Sequence, residues 1–79
     1  MIAYNLNDFY AAIHLVKCCE KFKGKFDVDI GYGRYIVDGC SILGVQTVVG
    51  HVVSVNPQTD DQEMINQFVS ELKEYKKVG

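Results

Sequence analysis

The spacing of apolar positions switches between two periods along this chain, and each switch predicts a new element. Residues 2–6, Ile-Ala-Tyr-Asn-Leu, alternate weakly and predict a first strand. Over residues 8–23 the period becomes helical: Ala12, Leu15, Val16, Cys19 and Phe22 share one face. Asn7 or Asp8 suits the N-cap, and Gly24 suits the stop. Alternation returns over residues 25–30, where Phe26, Val28 and Ile30 point one way and Lys25, Asp27 and Asp29 the other. Gly31-Tyr32-Gly33 carries turn chemistry, and residues 34–37 return as the partner strand of a hairpin.

The second half is less regular. Gly39 interrupts the strand pattern, and residues 41–49 predict a short apolar helix opened by Cys40 or Ser41. Gly44 and several β-branched residues lower its intrinsic propensity, so packing has to supply the rest. Gly50 ends it, and residues 51–55 read as a strand followed by an Asn56-Pro57-Gln58 turn. Thr59 and Gln62 have the spacing of a capping box, with Asp60, Asp61 and Glu63 beside them. Met64, Ile65, Phe68, Val69, Leu72 and Tyr75 then form a stripe on a helix running to about Lys76, with Lys73, Lys76 and Lys77 near its negative end.

The order β-α-β-β-α-β-α predicts an α+β fold. A four-stranded antiparallel sheet with three helices on one face buries every stripe in two layers. A ferredoxin-like arrangement with an added helix is the alternative. Phe22, Phe26, Val28, Val53, Phe68 and Leu72 are the expected core.

Composition narrows the function. The 79 residues make a single domain, 1–79, with one modest core. A net charge of −2, from 8 basic and 10 acidic side chains, offers no basic field for nucleic acid. The apolar runs are too short to insert into a membrane, and the N-terminus lacks the basic-then-apolar order of a signal peptide. Cys18 and Cys19 are adjacent and Cys40 stands alone, with no CxxC pair. Reduced thiols in a cytoplasmic protein are expected, rather than disulfides or a zinc site. No triad, phosphate-binding loop or metal spacing occurs, so neither a cofactor nor a metal is expected.

Ser41 carries the strongest chemical argument. A serine opening a helix caps it, and the same place tolerates an anion. Asp8 reads first as a cap, although a carboxylate can also accept a phosphoryl group. His14 lies off the apolar stripe of its helix, and His51 opens a strand with no partner nearby in sequence. Cys19 is on the stripe, whereas Cys18 and Cys40 are expected to be more accessible. Lys17, Lys21, Lys23 and Lys25 form a solvated face or a dock for an acidic partner.

Val37-Asp38-Gly39-Cys40-Ser41-Ile42-Leu43-Gly44-Val45, in this order of elements, resembles the HPr family, the histidine-phosphorylated carriers of the bacterial sugar phosphotransferase system. Ala12-Ile13-His14-Leu15-Val16 also looks like that family's first helix, and the similarity spans nearly the whole chain. The resemblance implies an HPr-like open-faced β-sandwich, with Ser41 at the position where many Gram-positive members are phosphorylated by a dedicated kinase. The family's carrier motif, Gly-Leu-His-Ala-Arg-Pro-Ala, is absent. Aligned through Ala12, Asp8 stands at the histidine, Tyr10 at the arginine and Ala11 at the proline. The stretch between Val45 and His51 is about three residues shorter, and Cys40 stands where relatives often carry lysine. The resemblance therefore implies a regulatory or binding role without histidine phosphotransfer. The expected partners are a serine kinase or other components of that system, through Ile42, Val45 and Gln46 beside Ser41. The alternative is a non-catalytic interaction module on the same scaffold, unconnected to sugar uptake.

Overall fold

The computed structural model describes residues 2–74. Seven elements follow in order: β1 (Ile2–Leu6), α1 (Phe9–Lys21), β2 (Val28–Tyr32), β3 (Tyr35–Asp38), α2 (Ile42–Gln46), β4 (His51–Pro57) and α3 (Gln62–Lys73). Tyr75, Lys76 and Lys77, expected at the end of the last helix, lie outside the described residues.

All pairings are antiparallel, and the strand order is β1-β4-β2-β3. The two central strands are thus β4 and β2. A ferredoxin-like sheet places β1 and β3 at its centre, so that alternative is not the arrangement observed. Strand side chains alternate between faces. Leu6, Val28, Ile30, Val53 and Val55, which share one face, are buried. Val52 and Ile36, which share the other, are exposed. All three helices cover the first face and leave the second open, as the apolar stripes predict.

The core runs from the β4–β2 centre into the α1–α3 seam. Leu15 and Cys19 from α1 and Phe22 at its C-cap join Phe68 and Leu72 from α3 in one core cluster. Phe68 stands edge-on to Phe22 and Phe26, with ring centroids 5.6 and 5.9 Å away. Every residue named from the sequence as core is buried.

Several boundaries differ from the sequence pattern. Residues 22–25 are turns and β2 starts at Val28, because Gly24 takes a positive φ of 95° and Phe26 reaches the core from the connection instead of from a strand. The hairpin turn is Gly33-Arg34, with Tyr32 paired to Tyr35, and Gly31 belongs to β2. Gly33 alone in this turn has positive φ (59°), the pattern of a type II′ turn with glycine first. Asn56 and Pro57 complete β4 and do not form a turn. Pro57 pairs with Val28 beyond the last β1 partner, Val55, at the strand's final residue, where a missing N–H does little harm. Thr59 forms no capping box: Asp61 caps α3, its Oδ1 accepting from the Glu63 and Met64 N–H groups at 3.1 and 3.2 Å.

Candidate functional site

The residues singled out for chemistry enter their helices from opposite ends of the sheet. β1 ends at Leu6, opposite His51, and Asp8 follows there. β3 ends at Asp38, opposite Asp29, and Ser41 follows at the other end. α1 and α2 pack side by side over the sheet between these ends.

Asp8 is the N-cap of α1, and its Oδ1 accepts from the Ala11 N–H at 2.9 Å. Tyr10, in the first turn, is 69% exposed, and Phe9 beside it is nearly half exposed. The side chains that follow Asp8 in this turn are two aromatics and two alanines.

Ser41 caps α2, its Oγ accepting from the Gly44 N–H at 3.1 Å. The helix spans only five residues, Ile42–Gln46, not 41–49, because residues 47–50 close into turns that end at Gly50 with φ 97°. Few peptide dipoles align over that length, so the favourable charge effect expected of a longer helix is small here. Gly44 makes a close approach to β3. A Cβ there would sit 3.2 Å from Val37 Cβ and 3.3 Å from Ser41 Oγ. Glycine therefore lets α2 lie against β3.

The apolar residues of α2 need one correction. Val45, expected in a docking patch with Ile42, is fully buried beneath the helix. It and Val48, three residues on, face the core. Leu43, 75% exposed, is the residue that α2 presents to solvent. Ile42 is half-buried and Gln46 exposed. The helical spacing of Val45 and Val48 is the signal that would have placed Leu43 outward.

His14 joins α1 to α3. Its Nε2 lies 3.0 Å from the Leu72 carbonyl, which can only accept, so this nitrogen carries the proton. Cys18 Sγ is 3.6 Å away. Cys18 is buried instead of accessible, because α1 is apolar over a wider arc than its main stripe. Burial, then Glu71, pushes its thiol up to about 11, and burial pushes that of Cys19 up to about 12. Cys40 is half-buried, and desolvation followed by Asp38 raises its thiol as well. None of the three has the lowered pKa of a reactive thiolate.

Lys17, Lys21, Lys23 and Lys25 are exposed. Lys21 pairs with Glu71 at 2.6 Å, and Lys25 lies 5.8 Å from the Phe22 ring centroid. The surface carries shallow grooves, two of which involve residues named above. One, between the end of α1 and α3, is walled by Lys21, Phe22, Glu63 and Glu71. The other lies between the hairpin turn and the end of α2, where Tyr32 stacks on His51 with centroids 4.1 Å apart. Among the described residues no group of three or more His, Cys, Asp or Glu side chains could hold a metal, and no helix is long and apolar enough to cross a membrane.

Fold and site together define a small α+β protein with an open antiparallel sheet, whose polar candidate residues cap and join helices. No family model, curated protein or solved structure matches the chain.

Proposed function

We propose that this chain is an HPr-like regulatory or binding protein of the cytoplasm. In this reading it is related to the phosphoenolpyruvate-dependent sugar phosphotransferase system and acts by being bound, not by carrying phosphate. The observation that supports this reading most is the exposed side of α2. Leu43 is an exposed apolar side chain there, and Ser41 stands two residues before it at the start of the helix. A phosphate on Ser41 would add about −1.5 to −2 charges next to that surface. It would change what a partner meets while the Val45 side of α2 stays in the core. The partner is a component of the sugar system or a serine kinase, and Gln46 lies within the same surface.

The residues at the carrier motif support the absence of phosphotransfer. Asp8 is occupied as a cap, and Tyr10 offers no charge to offset a phosphoryl group. The same substitutions favour a second reading, an interaction module on this scaffold with no tie to sugar uptake.

Incubation with the family's serine kinase and ATP, and separately with phosphoenolpyruvate and the carrier-loading enzyme, distinguishes them by intact mass. The first reading expects one phosphoryl group from the kinase on the wild type, none on Ser41→Ala, and none from the loading enzyme. An acid-labile phosphoryl group on Asp8 or His14 would overturn the loss of carrier activity. No gain under either condition, with the protein folded, would leave the second reading.

A further inference from the structure

We propose that β3 is a self-pairing edge at which two copies of this chain join their sheets around a two-fold axis. Among the described residues β3 is the last strand of the sheet and pairs only with β2. The Gly39 N–H donates to the Val28 carbonyl at 2.9 Å, so the facing residues Val28 and Gly39 form a hydrogen-bonded pair. Such pairs alternate along an antiparallel ladder. Ile30–Val37 and Tyr32–Tyr35 are therefore hydrogen-bonded, while Ile36 and Asp38 turn their main-chain groups away from β2. The Asp38 carbonyl accepts from the Ser41 N–H at 3.0 Å. The Ile36 N–H and C=O face outward, a template for another strand.

The side chains along this edge are self-complementary. Ile36, on the open face, is 71% exposed. Asp38 stands directly opposite Asp29, two like charges facing one another across the ladder. The Lys21–Glu71 ion pair involves neither of them, and Asp38 Oδ1 accepts from the Cys40 N–H at 2.9 Å. Arg34, exposed in the turn, is two residues before Ile36, and Asp38 is two residues after it.

A second copy laid antiparallel with Ile36 opposite Ile36 satisfies all of these features in one register. The two Ile36 residues exchange main-chain hydrogen bonds, and their side chains meet on the open face. Arg34 of each copy faces Asp38 of the other, which gives two cross-strand charge pairs and sets a cation beside each Asp29–Asp38 pair. A slip by one residue turns the unbonded main-chain groups away from each other, and a slip by two separates the charges. The contact is isologous and closes as a dimer. Pairing a four-residue strand buries far less than the roughly 1,200–2,000 Å² of a stable interface, so the dimer is weak and populated at high concentration.

Sedimentation equilibrium over micromolar to millimolar concentrations tests this. The wild-type mass should rise from 8.9 kDa toward twice that value. Arg34→Glu and Asp38→Lys should each weaken association about tenfold, because each places like charges opposite. An equimolar mixture of the two should associate again, since the introduced charges then face one another. Ile36→Pro removes an outward N–H without touching the β2 ladder, and it should remain monomeric with an unchanged circular dichroism spectrum. A wild-type mass constant over the range would overturn the proposal and leave the edge to a foreign strand. So would a dimer that persists in Ile36→Pro, or a mixture no better than its folded components. If Asp38→Lys fails to fold, Arg34→Glu and Ile36→Pro decide.

Discussion

Adding one methyl group at Gly39 probes a close approach between the end of β3 and α1. A Cβ there would fall 2.7 Å from Cys19 Sγ, 3.0 Å from the Val28 carbonyl oxygen and 3.3 Å from Val28 Cβ. Favourable contacts between carbon atoms lie near 3.5–4.0 Å, so the overlap with the larger sulfur is about 1 Å. Neither side can yield cheaply. Cys19 is 1% exposed within α1, and the Gly39 amide is tied to Val28 at 2.9 Å. Overpacking of this kind costs about 1–3 kcal/mol. At about 0.05–0.15 kcal/mol per residue, a chain of 79 residues holds roughly 4–12 kcal/mol in total, so the loss is readily measured. The contribution of sulfur is isolated by a double-mutant cycle with Cys19→Ala. That change costs about 1 kcal/mol by itself for lost burial, and the methyl on residue 39 then occupies the vacated space. Gly39→Ala should cost at least 0.5 kcal/mol less in the Cys19→Ala background, within the range of about 0.5–3 kcal/mol seen for residues in contact. Some cost should remain from the Val28 carbonyl. Urea unfolding of the four proteins, with equal m-values, gives the cycle. Equal costs in both backgrounds, or a neutral Gly39→Ala, would show that the strand end and α1 are not locked as described.

Asp8→Ala should destabilise the protein by about 0.5–2 kcal/mol, and Asp8→Asn by much less, because the Ala11 N–H loses its acceptor only in the first; thermal melts compare them. The thiols give a pH dependence. In the unfolded chain they release protons near 9.0, but Cys18 and Cys19 in the folded chain do so only at about 11 and 12. Between those values the folded state holds more protons, so stability is full below pH 9 and falls as pH rises from 9 toward 12. Urea midpoints at increasing pH check this, and Cys18→Ala should flatten the decline. At neutral pH an aromatic disulfide reagent should modify Cys40 first and reach Cys18 and Cys19 only on unfolding.

Much of the fold was legible because burial imposes a period. Ala12, Leu15, Val16, Cys19 and Phe22 are all buried, and the α1 stripe needed no tertiary information to be read. The errors fall where backbone geometry decides. Gly31-Tyr32-Gly33 offered two glycines to a turn, yet only Gly33 takes positive φ, since Gly31 is held in the ladder. Gly31 also faces Ser54, whose Oγ would lie 2.8 Å from a Cβ there, a packing reason that no local pattern reveals. Phe26 looked like a strand residue because alternation cannot distinguish a strand from an extended connection that places the same ring against Phe22 and Phe68.

The candidate site was harder to read because capping and chemistry draw on the same residue types. A serine or aspartate at a helix start satisfies an unpaired N–H whether or not it also reacts, and position alone assigns the first role. What the structure adds is how fully each group is committed. Asp8 Oδ1 holds the Ala11 N–H, Ser41 Oγ holds the Gly44 N–H, and His14 Nε2 lies against the Leu72 carbonyl. These commitments differ in what they forbid. A phosphoryl group on Asp8 would form on the carboxylate that starts α1, the longest helix and a principal source of the core, so modification there would cost cap energy across the fold. Ser41 starts a five-residue helix whose place is set by Val45 in the core and by the close approach of Gly44 to Val37. A phosphate on Ser41 keeps oxygen acceptors near the Gly44 N–H and leaves those packing contacts alone. Of the two capping positions, Ser41 is thus the one where charge can be added with little loss of stability, and this asymmetry follows from packing alone.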